Sequence, residues 1–449
     1  MIDNGKDILQ VDTVTVVGAN GTMGRNISAI FAAFGNAKVY MVSRDMKKSE
    51  AARNKAYHSV RAESVKKNMV PVDYSMLDQC VAESDIVFES SAENWEVKVF
   101  VTKMIAEAAL KNKEKCKRTL FCTGTSGLSV TSLSELYPAD FRGNCFGMHF
   151  FNPPYTMTLC EMIPTEYSDR ELFEMGKEYC KTILHRTVVE VKDSPAFLGN
   201  RIGFRFINEA FQFAEKYQYS GGIDYMDAIL GPFTGRNMAP LATSNFVGLD
   251  VHKAIVDNLY ENTNDFARED FLLPAYVEEL IRTGRLGKKT GGGIYKTVLC
   301  DRGTNIHQVY DIATGVYRDV MKYTFSFVES IVSHLKEGDY QQACEVLKKN
   351  HSQEAEICLY FLLKYILYSL AATEQVGYDI HSADDVMASG FSWCPPLAWI
   401  QALGGSETFQ GLCSERIPKA VLSQLDMACL LKRAEPSQYD YRKFIRAKR

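Results

Sequence analysis

The sequence predicts an α/β fold, in which an N-terminal doubly wound parallel sheet is followed by two related all-α domains. Apolar or β-branched runs alternate with helical patterns as far as Val191, which is typical of a mostly parallel sheet covered by helices on both faces. From Asp193 onward the periodicity is helical, and a weak internal repeat indicates two modules of one kind. We therefore expect three domains, at residues 1–193, 194–300 and 301–449, the last ending in a charged tail.

The individual elements follow from the same patterns. Strands are expected at residues 11–17, 38–42, 84–90, 118–122, 144–151 and 156–163. Helices are expected at residues 25–35, 46–67, 197–219, 224–230, 245–260, 271–283, 317–336, 339–349 and 354–376. The repeat relates the segment that begins at Asp224 to the segment that begins at Asp384, each preceded by a long apolar helix. Residues 297–314, between the modules, are expected to form a polar, irregular linker.

Composition limits the kinds of partner that the chain could have. At 449 residues it is long enough for two or three hydrophobic cores, and its net charge of −4 gives no electrostatic reason to expect nucleic acid or an anionic membrane as partner. Its 12 cysteines lack the spacing of metal ligands, so we expect reduced thiols, no metal site and a cytoplasmic location. We also expect no signal peptide, and no apolar run long enough to span a bilayer.

A glycine-rich loop follows the first strand at once and leads into a helix. Its candidate binding residues are Gly18, Asn20, Gly21, Thr22, Met23 and Gly24. A strand, a glycine loop and a helix in this order form a phosphate-binding turn, because glycine lets the backbone approach a pyrophosphate at the helix N-terminus. The spacing is GxxGxxG, one residue longer than the usual GxGxxG, so the phosphate register could shift. We expect a Rossmann-like domain that binds NAD(P); a tight turn without a ligand is the alternative.

The end of the second strand carries the residues that distinguish NAD from NADP. An NAD-selective site has an acidic residue there to bind the ribose 2′-hydroxyl, whereas arginine accommodates a 2′-phosphate. This chain has Ser43 and Arg44 at that point, so we expect NADP(H) to be slightly favoured. Two alternatives stay open: Arg44 caps the following helix, or Asp45 takes the acidic role.

His149 and Glu161 are the candidate groups for chemistry. His149 lies at the end of a short apolar run, and Glu161 lies in a second β-like run twelve positions later. A carboxylate in a buried strand needs a partner, and an imidazole on the neighbouring strand would supply one. The alternative is that the two side chains lie in separate strands without touching.

Several motifs in a fixed order carry a family resemblance. They are the glycine loop, Glu93-Asn-Trp-Glu-Val-Lys98, Thr125-Ser126, Gly147-Met-His-Phe-Phe-Asn-Pro153, Glu161, Asp193-Ser-Pro-Ala-Phe-Leu-Gly-Asn-Arg201, Val247-Gly-Leu-Asp250 and Lys289-Thr-Gly-Gly-Gly-Ile-Tyr295. From about Val11 to Lys296 the chain resembles the L-3-hydroxyacyl-CoA dehydrogenase family. The resemblance implies an oxidoreductase of fatty acid metabolism and β-oxidation, which interconverts an L-3-hydroxyacyl thioester and its 3-oxoacyl form with NAD(P).

The resemblance also implies a role for each matching residue. His149 would be the general base that takes the proton from the 3-hydroxyl, and Glu161 would hold its imidazole in the right tautomer. Ser126 and Asn200 would bind the reacting oxygen and the thioester carbonyl.

Glu93 and Lys98 match family positions near the ribose and nicotinamide of the cofactor. The segment after Ser43 is shorter than the helical tail that usually grips coenzyme A, so the substrate could be an acyl-CoA, an acyl-carrier thioester or a free hydroxy acid such as L-gulonate. A non-catalytic nucleotide-binding protein is a further alternative. Long relatives carry a duplicated C-terminal domain, and we expect the second module to satisfy the family's dimer interface internally.

Overall fold

The chain folds into two compact units, one ending at Phe197 and the other beginning at Leu198. The computed structural model describes residues 9–299, 305–432 and 436–447. The boundary lies four residues beyond the predicted end of the first domain, and both helical modules belong to the second unit. Residues 300–304 of the predicted linker and parts of the charged tail lie outside the described residues.

The first unit is built on an eight-stranded sheet in the order β3-β2-β1-β4-β5-β6-β7-β8. Its strands are β1 (Thr13–Val17), β2 (Lys38–Ser43), β3 (Met69–Asp73), β4 (Ile86–Glu89), β5 (Leu120–Thr123), β6 (Cys145–Phe150), β7 (Leu159–Ile163) and β8 (Thr187–Glu190). The first six strands are parallel; β7 pairs antiparallel with β6 and parallel with β8. The carboxyl ends of β1 to β6 therefore share one edge of the sheet, which confirms the predicted doubly wound architecture.

Helices cover both faces of this sheet. They are α1 (Thr22–Ala33), α2 (Met46–Val60), α3 (Glu63–Asn68), α4 (Leu77–Ala82), α5 (Trp95–Lys111), α6 (Val130–Ser134), α7 (Ala139–Arg142) and α8 (Arg170–Glu178). Successive residues of a strand point to opposite faces, so Val16 packs into the core beneath α1 and Val17 into the core beneath α4 and α5. This two-sided burial explains why the strands appear in the sequence as continuous apolar runs.

Two features of the first unit differ from the sequence-based prediction. The edge strand β3 (MVPVD) was not predicted; it tolerates Pro71 because an edge strand leaves one side of its backbone unpaired. The single helix expected at residues 46–67 is broken at Arg61, which adopts a left-handed conformation with φ of 54°.

Within the residues that the structure describes, the second unit is helical apart from one small sheet. Its elements are α9 (Gly199–Lys216), α10 (Ile223–Ile229), α11 (Pro240–Val247), α12 (Leu249–Asn262), α13 (Ala275–Arg282), β9 (Tyr295–Leu299), β10 (Asn305–Tyr310), β11 (Tyr317–Asp319), α14 (Ser326–Glu337), α15 (Tyr340–Lys349), α16 (Gln353–Val376), α17 (Ser382–Val386), α18 (Pro396–Leu403), α19 (Ser406–Arg416), α20 (Lys419–Leu422) and α21 (Met427–Lys432).

The expected irregular linker is wrong where the structure describes it, because β9, β10 and β11 form an antiparallel sheet. The helix expected from residue 317 begins only at Ser326 for the same reason. The helix expected at residues 245–260 is divided at Gly248, whose φ of 116° ends α11 and starts α12.

The internal repeat has a structural counterpart at two helix starts. Helices α11 and α18 both begin Pro-Leu-Ala, at Pro240 and Pro396. The backbone N–H of Leu241 donates to Asp227 Oδ1 at 2.8 Å, and the N–H of Leu397 donates to Asp384 Oδ1 at 2.8 Å. In each module an aspartate from the preceding helix caps the next helix.

Helix α16 corrects the expectation that no apolar run is long enough to span a bilayer. It has 24 residues, and its most apolar window has a mean hydropathy of 1.5. Of that window, 89% is buried inside the protein. The helix thus has the burial of a core helix, and its length and composition alone are weak evidence for a membrane span.

Candidate active site

His149 and Glu161 face each other across two paired strands. Strands β6 and β7 place them opposite one another in the antiparallel register, and His149 Nδ1 lies 2.8 Å from Glu161 Oε2. Their side chains are 4% and 0% exposed, so solvent hardly screens the pair. A carboxylate acceptor at Nδ1 places the ring proton there and leaves Nε2 as the basic nitrogen. The pair can therefore accept a proton at one defined atom.

Two aromatic rings hold the imidazole from its sides. The His149 ring centroid lies 4.6 Å from that of Phe151 and 5.5 Å from that of Phe197. Phe197 and the preceding Ala196 have φ values of 54° and 56°, a left-handed conformation that costs a residue with a side chain about 1–3 kcal/mol. This conformation places the Phe197 ring against the imidazole, and no pattern in the sequence indicates it.

The small-residue loop after β5 is held by Glu93. Glu93 Oε1 accepts hydrogen bonds from the Thr125 hydroxyl at 2.6 Å and from the Ser126 N–H at 2.8 Å. Glu93 Oε2 lies 3.5 Å from the buried Lys98 ammonium. The predicted oxygen-binding Ser126 and the two predicted cofactor residues are therefore brought together at one edge of the sheet.

Asp193 fixes the same loop from its other end. Its carboxylate accepts hydrogen bonds from the Ser129 hydroxyl and from the N–H groups of Val130 and Thr131, at 3.0, 3.1 and 2.8 Å. The segment that carries Phe197 begins at Asp193, so this carboxylate ties it to the loop that carries Ser126.

The glycine loop has the form that a diphosphate requires. Gly18 has φ of 88°, and a Cβ there would lie 2.5 Å from the Ser90 carbonyl oxygen. A Cβ on Gly24 would lie 2.5 Å from the Gly18 oxygen, so both residues are glycine for the protein's own packing. Gly21 differs: the nearest atom to its Cβ would be the Gly18 oxygen at 3.4 Å, an ordinary contact. A glycine that packing does not require, at the N-terminus of α1, leaves space for a phosphate.

The remaining loop residues have separate surroundings. Asn20 is exposed, and the Thr22 hydroxyl accepts a hydrogen bond from Arg25 at 3.3 Å. Met23 packs against the core beneath α1. The loop therefore offers its backbone and the N-terminus of α1 to a ligand, and the binding roles of these residues stay predictions.

Two of the three residues at the end of β2, Ser43 and Asp45, already form hydrogen bonds within the protein. The Ser43 hydroxyl is buried and donates to the Asp45 carbonyl oxygen at 2.9 Å. The Asp45 carboxylate caps α2 by accepting the Lys47 N–H at 2.8 Å, so the cap is Asp45 and not Arg44. Arg44 is exposed and forms no ion pair with the residues that the structure describes.

Asn200 is the predicted site residue that the first unit does not contain. It is a buried residue in the first turn of α9, in the second unit. Its role toward the thioester stays a prediction.

Glu89 is a buried carboxylate beside these residues that the sequence-based prediction did not include. It ends β4 at the same edge, is 2% exposed and binds Lys98 at 2.9 Å. The sequence does contain one indication of it, an acidic residue at the end of an apolar run. Such a carboxylate is expected to be buried, and a buried carboxylate requires a partner.

Comparison with known proteins identifies the domains. Residues 13–194 match the NAD binding domain of 3-hydroxyacyl-CoA dehydrogenase, and residues 197–297 match its C-terminal domain.

Curated relatives match the same part of the chain. A probable 3-hydroxyacyl-CoA dehydrogenase of Bacillus subtilis is 28% identical over 313 residues, which are 69% of this chain but only 38% of that protein's length. The mitochondrial hydroxyacyl-coenzyme A dehydrogenase of Sus scrofa is 30% identical over 308 residues, which are 65% of this chain and 93% of that protein.

Among the solved structures that match, we report one that covers nearly the whole chain. It is a 3-hydroxybutyryl-CoA dehydrogenase from Escherichia coli, with a TM-score of 0.64 and 21% identity over 96% of this chain and 97% of that one. At this identity the likeness shows the fold alone. Both family domains are present in order, and a 30%-identical relative is matched over nearly its whole length. The chain belongs to the 3-hydroxyacyl-CoA dehydrogenase family.

Proposed function

We propose that this chain interconverts an L-3-hydroxyacyl thioester, in first place a 3-hydroxyacyl-CoA, and its 3-oxoacyl form with NAD(P). The observation that carries the proposal is the buried His149–Glu161 pair, 2.8 Å apart at the sheet edge that also holds the glycine loop. A non-catalytic nucleotide-binding protein would not require a buried imidazole and carboxylate in this register.

Each candidate residue of the first unit would have a separate role in the reaction. In oxidation, His149 Nε2 would accept the proton of the 3-hydroxyl, and NAD(P), when bound, would supply the two-electron acceptor for the hydride of C3. Glu161 stabilises the imidazolium that forms. Ser126 would donate a hydrogen bond to a substrate oxygen on which negative charge develops in reduction. The role of Asn200, which lies in the second unit, stays what the family resemblance implies. The reverse reaction returns the proton from Nε2 to the ketone oxygen.

An assay with purified protein tests the proposal. Acetoacetyl-CoA, longer 3-oxoacyl-CoA thioesters and 3-oxoacyl-carrier thioesters are offered with NADH or NADPH, and absorbance of the reduced nicotinamide is followed. We expect turnover with at least one thioester. Oxidation of L-gulonate without turnover of any thioester would replace the proposed substrate class, and no turnover of either kind would overturn the enzymatic role.

We propose NADP(H) as the slightly favoured cofactor. Asp45 is engaged in capping α2, while the exposed Arg44 has no ion-pair partner among the described residues and suits a 2′-phosphate. We expect Arg44→Ala to weaken NADPH binding roughly tenfold and NADH binding little. Lys55→Ala, on the exposed face of α2, is the control and should change neither. Tighter binding of NADH than of NADPH by the wild type would contradict this preference.

We propose that the second helical module takes the place of a partner subunit. Within the second unit, α16 packs along α9, and the Lys364 ammonium donates to Glu209 at 2.6 Å and to Asp270 at 2.8 Å. The Arg201 guanidinium donates to the Tyr368 hydroxyl at 2.9 Å. These buried polar contacts join the two modules through their long helices, as a subunit interface would.

We also propose a cytoplasmic location and a role in lipid metabolism. Each cysteine within the described residues is a free thiol, which suits a reducing compartment. Fluorescence microscopy of a tagged chain should show diffuse cytoplasmic signal; recovery from an oxidising compartment would contradict the location.

A further inference from the structure

Glu89 is a buried carboxylate that the proposed chemistry does not use. It is the last residue of β4, and its side chain is 3% exposed. Strand β4 lies beside β1, where the order of the parallel strands reverses. Doubly wound folds bind dinucleotides at this point, outside the carboxyl ends of the strands. Glu89 therefore lies at the edge where the cofactor is expected.

Both oxygens of Glu89 are occupied. Oε2 accepts hydrogen bonds from the Lys98 ammonium at 2.9 Å and from the Thr123 hydroxyl at 2.8 Å. Oε1 accepts the Ser91 N–H at 2.6 Å and also the Ser91 hydroxyl. Burial raises the pKa of Glu89, but Lys98 and the Ser91 hydrogen bonds outweigh burial and leave the pKa below its ordinary value. The group is a carboxylate at neutral pH.

Lys98 connects this carboxylate to the loop that carries Ser126. Its ammonium lies 3.5 Å from Glu93 Oε2, and Glu93 Oε1 accepts the Thr125 hydroxyl and the Ser126 N–H. A continuous series of polar contacts therefore runs from Glu89 to Ser126. Because two carboxylates share one ammonium, the Glu89–Lys98–Glu93 cluster carries a net negative charge.

We propose that Glu89 is a positioning residue for the nicotinamide half of the cofactor site, where it fixes Lys98 and keeps the local charge negative. The inference rests on the proposed function, since it assigns the nicotinamide half of NAD(P) to the strands β4 to β6. A net negative cluster stabilises the cationic oxidised ring over the neutral reduced ring. Glu89 thus acts on the relative affinity for the two redox states as well as on the position of Ser126.

The test is the ratio of two dissociation constants, measured for the oxidised and the reduced cofactor by isothermal titration calorimetry. In Glu89→Gln we expect the affinity for the oxidised form to fall roughly threefold to tenfold more than that for the reduced form. A purely structural role would weaken both forms alike, so an unchanged ratio would overturn the proposal.

A matched control lies at the opposite edge of the same sheet. Glu83 precedes β4 and pairs with Lys38, at the start of β2, at 3.4 Å. Glu83→Gln removes the same charge away from the carboxyl ends of the strands and should leave the ratio unchanged. An equal change of the ratio in this control would overturn the assignment to Glu89.

A second pair of variants keeps the test decisive if Glu89→Gln does not fold. Ser91→Ala and Thr125→Ala remove hydroxyls at opposite ends of the series without unpairing a buried charge. If the series acts as one unit, the double variant should weaken binding of the reduced cofactor no more than the worse single variant. If the double variant instead loses cofactor affinity by the product of the two single-variant factors, the two ends of the series act independently, which would contradict the proposal.

These titrations need no turnover. Failure of the thioester assay alongside intact cofactor binding would remove the proposed substrate and leave the Glu89 test standing.

Discussion

At the scale of single residues, the contact between His149 Nδ1 and Glu161 Oε2 would allow Glu161 to stabilise the charged imidazole. A glutamine at position 161 could still contact Nδ1, but it would bring no charge to stabilise an imidazolium. We expect Glu161→Gln to lower kcat roughly 10²- to 10⁴-fold with the cofactor Kd unchanged. Steady-state rates and cofactor titration of the same preparation measure the two effects.

The control for this substitution is Glu190→Gln. Glu190 lies on the neighbouring strand β8 and pairs with Arg170 and Lys177, away from the imidazole. The Glu190→Gln variant should retain the wild-type rate. A Glu161→Gln variant as fast as this control would contradict the assigned role of Glu161.

The sequence indicated the pair but could not establish its contact. The two short runs around His149 and Glu161 predicted neighbouring strands, whereas their register depends on the turn between β6 and β7. Glu89 was missed because its partner Lys98 lies on the next helix, and only tertiary structure brings the two together. The left-handed Ala196 and Phe197 leave no trace in composition, since neither residue favours that conformation.

At the scale of elements, the glycines of the phosphate loop have different tasks. Gly18→Ala introduces a clash with the Ser90 oxygen and strain at a positive φ, so we expect it to destabilise the protein by several kcal/mol. Gly21→Ala meets no clash and should cost about 1 kcal/mol or less as a helix N-cap. It should nevertheless weaken cofactor binding at least tenfold, because its methyl group occupies the phosphate space.

Chemical denaturation and cofactor titration of both variants distinguish these effects. Gly284→Ala, at a positive φ with open space around it, is the control for strain without a clash. Unweakened cofactor binding by Gly21→Ala would show that the loop does not hold the phosphates.

Elements were predictable where burial imposed a pattern. The two-sided burial of β1 and β4 gave continuous apolar runs, and their strands were predicted within about two residues of the observed limits. Strand β9 is partly or fully exposed along its length, so no apolar alternation indicated it. The edge strand β3 contains Pro71, which argues against a strand in a sequence but is tolerated at the edge of a sheet.

At the scale of the whole molecule, the duplicated helical module bears on how many chains assemble in solution. The long helix of each module is apolar in the sequence, and the aspartate caps at Asp227 and Asp384 repeat the same local structure. The sequence showed the repeat but not that α9 and α16 pack together through buried ion pairs, because such contacts link residues more than 150 positions apart.

If the second module replaces a partner subunit, the protein is a monomer in solution. We expect light scattering to give a mass close to 50.5 kDa over a wide range of protein concentration. A mass of twice that value, unchanged on dilution, would show that a dimer interface persists and would contradict the internal arrangement.

We propose that His149 transfers the proton in a nicotinamide-dependent reaction of a 3-hydroxyacyl thioester. The most direct measurement compares the wild type with His149→Gln in reduction of acetoacetyl-CoA, with cofactor binding titrated in parallel. We expect a rate loss of roughly 10²- to 10⁴-fold with cofactor affinity retained. A near-normal rate in His149→Gln would contradict this role of His149.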